Sequence, residues 1–418
     1  MQANCKAPAN PLGTLVRTEW EGEWMTNTEW LRVPVGIDAP RWVTRARCRH
    51  VLVVVHTVTS GQRLLEAVEL IESDPRVQVL FCQAPDTFSQ GVADFLRAAD
   101  ALVVPWEQAT RERFDLALAA SYGSLHMVHA PLLLMPHGAG FGKSVTAAGP
   151  PQVYGLDAQR LLHNGEVLAA ALVLSHDSQR DVLRRQCPEA LDVAVVAGDP
   201  CYDRMVASLP VRGEYRAALG VRDGERLLVV TSTWGLDSLF ARFEDLLPRL
   251  LDELRGSRVA AMLHPAAWYA HGRRQVRAWL ADCRDAGLVV VPPEVDWRAA
   301  VIAADHVIAD HGSVGVYAAA IGTPVLLADP PVTAVVGDGS AQDALRRLAP
   351  RLTFDRPLVE QFDFAAGRAA ALAEHVRDRL TSCPGRAGAE LRRAVYRLLG
   401  MSEPGRHRGL APVPAVRP

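Results

Sequence analysis

Short runs of apolar, β-branched residues alternate with longer stretches of helical spacing along most of this chain, and that alternation limits the fold more than any other feature. HVLVVVHT (50–57) reads as a buried strand, GQRLLEAVELIES (61–73) as an amphipathic helix, VQVLFCQ (77–83) as the next strand and QGVADFLRAAD (90–100) as the next helix. Further strands are expected at ALVVPW (101–106), within FDLALAAS (114–121), and at PLLLMP (131–136), ALVLSH (171–176) and VAVVAGDP (193–200). Such alternation builds parallel sheets covered by helices. A polar stretch, VASLPVRGEYRAALGVRDGER (206–226), then intervenes and the rhythm restarts. RLLVVTST (226–233), a helix near 238–255, RVAAMLHP (258–265), a helix near 271–285, GLVVVPP (287–293), HVIADHG (306–312) and TPVLLAD (323–329) follow. The expectation is an α/β chain of two Rossmann-like domains, 46–205 and 226–400, facing each other across a cleft. A linker covers 206–225, an N-terminal extension 1–45, and a Pro/Arg-rich tail, 401–418, is expected to be disordered.

At 418 residues and 49% hydrophobic, the chain can bury two cores. A formal charge of −2 argues against a nucleic-acid partner held through phosphate contacts. The seven cysteines form no C-x-x-C pair and no zinc spacing, which suits reduced thiols in a cytoplasmic protein. MQANCKAPANPLG lacks the pattern of a signal peptide, and no apolar run is long enough for an integral membrane segment.

Ligands of open parallel sheets bind beyond the carboxyl ends of the strands, so the residues after each strand carry the functional signal. GAGFGKS (138–144) resembles a phosphate-binding P-loop, G-x-x-x-x-G-K-[ST]. Its first glycine is replaced by His137, and Gly149-Pro150-Pro151 prevents the long helix such a loop needs at its end. The hydrolase reading is therefore rejected. His137 at a strand exit suits a general base, and Gly138 and Gly140 allow close approach of a ligand, with Lys143 a secondary phosphate contact. His264-Pro265 ends another strand, where a catalytic or phosphate-contacting imidazole and a structural turn are equally served. Gly312, Ser313 and Gly315 start a helix whose N–H groups suit a diphosphate, and Ser232, Thr233 and Gly235 suit a phosphate contact across the cleft. Asp237 reads as a helix cap. Gly198-Asp199-Pro200 reads as hinge architecture, and His56 with Ser60 suits an acceptor pocket or a plain turn. No H-E-x-x-H, D-x-D or G-x-S-x-G motif occurs, so no metal and no cofactor is implied.

Together these motifs resemble the GT-B glycosyltransferase superfamily. MPHGAG (135–140) is similar to the W-H-G-T motif of the CDP-glycerol glycerophosphotransferases of teichoic-acid synthesis, His264-Pro265 to their H-P motif, and DHGSVGVY (310–317) to their D-Y-S-S-x-x-x-D motif. AGDP (197–200), VTSTWG (230–235) and Gly322-Thr323-Pro324 resemble the G-N-P, T-S-x-R and G-x-P segments of UDP-N-acetylglucosamine 2-epimerase. The resemblance covers about residues 50–330. It implies a GT-B fold and a metal-independent transferase, with His137 as base and His264 neutralising charge on the leaving group. The donor would be UDP-, GDP- or CDP-linked and the acceptor a hydroxyl, and a homodimer is compatible with it. A 2-epimerase or nucleotide-sugar hydrolase and a non-catalytic binding protein are the alternatives. Two departures stand out. Tyr317 takes the place of the acidic residue that holds the ribose hydroxyls, and Gly312 replaces a hydroxyl residue.

Overall fold

A computed structural model describes residues 31–406 and 410–415, except 37–38, 46, 146–150 and 329–335. The first half holds β1 (Arg49–Val55), α1 (Val58–Glu69), β2 (Val77–Gln83), β3 (Leu116–Ala119), β4 (Leu132–Leu134), β5 (Ala171–Leu174) and β6 (Ala194–Val196). Two helices lead out of it, α2 (Pro200–Ser208) and α3 (Arg212–Ala218). The second half continues with β7 (Leu227–Ser232), β8 (Arg258–Leu263), α4 (Pro265–His271), β9 (Val289–Val291), α5 (Trp297–Ala303), β10 (His306–Ala309), α6 (Ser313–Ala320), β11 (Val325–Leu327) and α7 (Ala341–Leu348). Two helices close the chain, α8 (Leu358–Leu380) and α9 (Ala387–Leu398).

The first sheet runs β6-β5-β4-β3-β1-β2 and the second β9-β8-β7-β10-β11, each fully parallel. Strand direction of growth reverses between β1 and β3 in one sheet and between β7 and β10 in the other. Those two points are where such sheets open a crevice. Each sheet is buried on both faces, as the near-continuous apolar strands require. Val51, Val53 and Val55 of β1 point into one core layer and Leu52 and Val54 into another. In β7, Leu227 and Val229 face one layer, Leu228 and Val230 the other. ALVVPW contributes a single parallel bridge, Phe81 to Val103, instead of a strand. Leu102 is exposed there while Val104 is buried in the core, so only part of this apolar run is covered.

The stretch expected as a linker is largely helical. Arg212 and Arg216 of α3 both bond the Asp305 carboxylate, at 2.7 and 2.8 Å, and Tyr215 is buried in the second half's core. Of the expected N-terminal extension, residues 1–30 lie outside the described residues, while Val33 and Val35 join the first half's core. The tail expected to be disordered is docked at residues 410–415. Val413 is buried, its N–H donates to Ser208 Oγ at 3.0 Å, and its carbonyl accepts from Tyr215 Oη at 2.6 Å. One apolar side chain and two backbone hydrogen bonds outweigh the Pro/Arg composition around it. Helix α9 returns to the first half, where Leu391, Ala394, Val395 and Tyr396 complete the layer formed by β1 and α1. Among the described residues no helix is long and apolar enough to cross a membrane, and the described cysteines are all free.

Candidate functional site

The carboxyl ends of both sheets face each other, and the first turn of α1 sets their approach. Thr57 Oγ1 accepts from the Ser60 N–H at 3.1 Å, and Ser60 Oγ accepts from the Thr57 N–H at 2.9 Å, a reciprocal cap. Thr59, on that turn, places its Oγ1 3.3 Å from His264 Nε2. His264 leaves β8 and caps α4, its Nδ1 accepting from the Ala266 N–H at 3.1 Å. An imidazole that accepts at Nδ1 carries its proton on Nε2 when neutral. His264 therefore presents an N–H donor. His137 has the opposite tautomer. It follows β4 with Nδ1 2.9 Å from the Ala120 carbonyl, an acceptor only, so Nδ1 donates and Nε2 keeps its lone pair.

The His137 ring is open to solvent although protein surrounds it on the cleft floor. Desolvation lowers its pKa below the ordinary histidine value; the Ala120 carbonyl opposes this, and the charges of Arg63 and Lys143 reinforce it. His264 is half-buried and is pulled down to about 4, first by desolvation and then by the nearby His137, with Asp310 opposing. Near neutral pH both rings are neutral, one with an unclaimed lone pair on Nε2 and one whose Nε2–H meets the Thr59 hydroxyl.

The second half supplies a fixed polar turn. Asp310 Oδ2 accepts from the Thr233 N–H and hydroxyl, both at 2.7 Å, and from the Leu239 N–H at 3.1 Å; Oδ1 accepts from the Gly312 N–H at 3.2 Å. These four bonds lock the loop after β7 to the start of α6. Gly312 caps α6 without a side chain, so no cap oxygen claims the N–H groups of its first turn. The glycine loop of the first half reaches this point. The Ala139 N–H donates to Ser313 Oγ at 3.2 Å, Gln342 Nε2 donates to the Ala139 carbonyl at 2.9 Å, and the Gly337 N–H donates to the Gly142 carbonyl at 3.0 Å. A Cβ on Gly138 would lie 2.6 Å from Ser313 Oγ, and one on Gly142 would overlap Gln342. These two glycines let the loop's backbone pass directly against side chains of the second half.

Beneath the cleft lies a buried ionic cluster. Arg63 of α1 donates to Glu66 at 3.1 Å, Asp199 at 3.3 Å, the Gly138 carbonyl at 3.0 Å and Tyr317 Oη. Tyr317 Oη donates to Asp199 at 2.8 Å, and Arg298 joins Glu66 to Asp296. Opposed charges and full hydrogen bonding make such burial tolerable, whereas any single deletion strands a charge. The cluster ties the base of the glycine loop to both halves.

No protein-family model and no curated protein matches the sequence. The arrangement in space, in contrast, matches solved structures. The wall teichoic acid polymerase TagF aligns over 84% of this chain and 89% of its own, at 13% identity and a TM-score of 0.57. UDP-GlcNAc 2-epimerase from Neisseria meningitidis, bound to UDP-GlcNAc, aligns over 83% and 100%, at 13% identity and a TM-score of 0.53. S. aureus MnaA with UDP aligns over 85% and 98%, at 12% identity and a TM-score of 0.53. This chain has a GT-B-like fold.

In this GT-B arrangement His137, His264, Thr233, Gly312 and Ser313 come together around the cleft, with Lys143 exposed on the first-half side and its ammonium 5.9 Å from the Tyr154 ring. Other expected site residues have different work. His56 is fully buried, with Nε2 2.7 Å from the Gly123 carbonyl, and Ser60 is consumed by the α1 cap, so neither lines an acceptor pocket. Ser232 is buried, donating to the Thr233 carbonyl and accepting from the Phe240 N–H. Gly315 is needed for packing, since a Cβ there would lie 2.7 Å from Ala309 Cβ. Gly140, at φ +65°, is pressed against Ser175 and Gln179, and Gly235, at φ +85°, sits on an exposed turn with open space around it. Ser238, not Asp237, caps the following helix. Tyr317 does not face a ribose. It is buried with its hydroxyl saturated by Arg63 and Asp199. Thr59, Arg63 and Gln342 were not expected. Arg63 and Glu66 do leave a trace, because their i,i+3 pair falls among the leucines of a helix otherwise apolar on that side.

Proposed function

We propose that the protein is a metal-independent GT-B transferase that moves a glycosyl or glycerophosphoryl-type group from a nucleotide-activated donor to an acceptor hydroxyl. The paired tautomers carry the reading: His137 offers a lone pair on the same cleft where His264 offers a proton-bearing nitrogen. The acceptor oxygen forms a bond to the transferred carbon or phosphorus while His137 Nε2 takes its proton. The bond to the nucleotide's phosphate oxygen breaks, and the nucleotide leaves with that electron pair. His264 Nε2–H, Ser313 and the uncapped start of α6 would meet the developing negative charge. The TagF structure soaked with CDPG and the epimerase structure bound to UDP-GlcNAc support a CDP- or UDP-linked donor.

One observation favours a second reading. Tyr317 replaces a ribose-binding carboxylate and is unavailable to a ligand, which suits a GT-B-shaped binding protein without turnover. A panel of UDP-, GDP- and CDP-linked donors with product analysis separates the two. In the transferase reading, His137→Ala lowers turnover by roughly 10²–10⁴-fold and leaves donor affinity nearly unchanged. Normal turnover in that variant removes His137 from the mechanism.

A further inference from the structure

A second concave site lies in the first half, away from the paired tautomers. Its volume is about 290 Å³, on the order of ten water molecules' share of liquid. The loop after β3 supplies Tyr122 and His126, and the segment 159–168 supplies Gln159, Arg160, His163 and an apolar floor. Local geometry holds the two histidines face to face. His163 sits at the end of a two-residue hairpin whose Asn164 and Gly165 have φ of +53° and +84°, the geometry an Asn-Gly hairpin turn demands. Ser124, at φ +56°, turns the opposite loop into a short 3-10 turn that carries His126. The rings stack 4.3 Å apart at 12°. Parallel rings send their nitrogens out side by side, so they cannot converge on one metal ion at the ~2.0–2.1 Å that zinc requires.

The lining is rich in donors and holds no carboxylate. Asp157 is buried behind Arg160 and takes only its Nη1, at 2.9 and 3.0 Å, while the Tyr154 ring covers one guanidinium face at 4.0 Å. Glu166 pairs with His163 across the hairpin backbone and is the other acidic neighbour. The ring nitrogens of His126 and His163 have no hydrogen-bond partner among the described residues. An oriented guanidinium beside two unpaired imidazoles is a recognition set for an oxyanion, and the flanking Gln159 and Tyr122 suit hydroxyl groups.

We propose that this pocket binds a small phosphate monoester carried on a sugar- or polyol-sized body, at a site separate from the cleft. Arg160 and the histidine pair take the phosphate, and the Leu162–Leu168 floor takes the carbon skeleton. The loop that lines it also holds Ala120, whose carbonyl sets the His137 tautomer.

Calorimetric titration of the full-length protein with glycerol 3-phosphate and glucose 6-phosphate, against glycerol, glucose and inorganic phosphate, tests this. The phosphorylated compounds are expected to bind at least about tenfold more tightly than their neutral parents and more tightly than phosphate alone. H126N/H163N, a change confined to exposed side chains, is expected to weaken them at least about tenfold, and R160Q likewise. Should R160Q unfold because Asp157 is left unpaired, the double histidine variant decides alone. S313A is expected to leave this binding unchanged. Equal affinity for neutral and phosphorylated compounds, or binding lost in S313A and kept in H126N/H163N, overturns the proposal.

Discussion

His264 offers the sharpest quantitative test, because its suppressed protonation is also a statement about stability. Its folded-state pKa of about 4 lies below the ordinary histidine value of about 6.5, so on acidification the unfolded chain takes up this proton first. The resulting stabilisation is fully present above pH 6.5 and is lost as pH falls towards 4. The linkage relation makes the protein about 2 kcal/mol less stable at pH 5 than at pH 7.5 through this group alone. In His264→Asn the side chain does not titrate, yet Asn remains a good N-cap acceptor for α4. Urea unfolding at the two pH values, followed by tryptophan fluorescence, reads the difference. Trp268, buried on the same helix, is one of the nine tryptophans that report the unfolding. Wild type should lose about 2 kcal/mol more than the variant between pH 7.5 and 5, all other titrating groups cancelling in the comparison. Parallel pH dependence would refute the suppressed protonation and, with it, the neutral donor assigned to His264.

Three further outcomes are expected. If His137 is the base, the acid limb of the kcat/KM profile lies below pH ~6.5, and Lys143→Met moves it upward by removing a charge that now lowers the His137 pKa. Tyr317→Phe, which leaves Asp199 and Arg63 short of a buried partner, should cost about 1–3 kcal/mol in thermal or urea unfolding without altering donor affinity. Gly138→Ala drives a methyl group into Ser313 Oγ and should cost about 1–3 kcal/mol and most turnover, measured by urea midpoint and product formation; wild-type values for both would show that the two halves do not meet at this glycine.

The sheets were legible because buried parallel strands have to be apolar on both faces, and runs such as VQVLFCQ and RLLVVTST have no other use. Periodicity is blind to partners distant in sequence. Nothing local in AELRRAVYRLL tells that α9 belongs with β1, and nothing in APVPAV tells that Val413 docks on α2 and α3. At the site, strand ends marked His137, His264 and the turn after β10. They could not separate cleft residues from turn residues, since His56, Ser60 and Gly315 share that position and differ only in what surrounds them. The resemblance placed Tyr317 at a ribose site by counting along one helix. Its role came from Arg63 and Asp199, which approach from the other half.

The return of α9 also fixes an order of events. Leu391, Val395 and Tyr396 fill the layer built by Val51, Val53 and α1, and Tyr396 Oη donates to Asp74 at 2.8 Å. During synthesis the first sheet therefore emerges early with one face only partly covered by α1, and waits for nearly the whole second half to be made. Each nascent chain carries that apolar face through the interval in which the other sheet forms. The half that begins folding first is the half completed last, and its solubility on the ribosome depends on residues about 340 positions away.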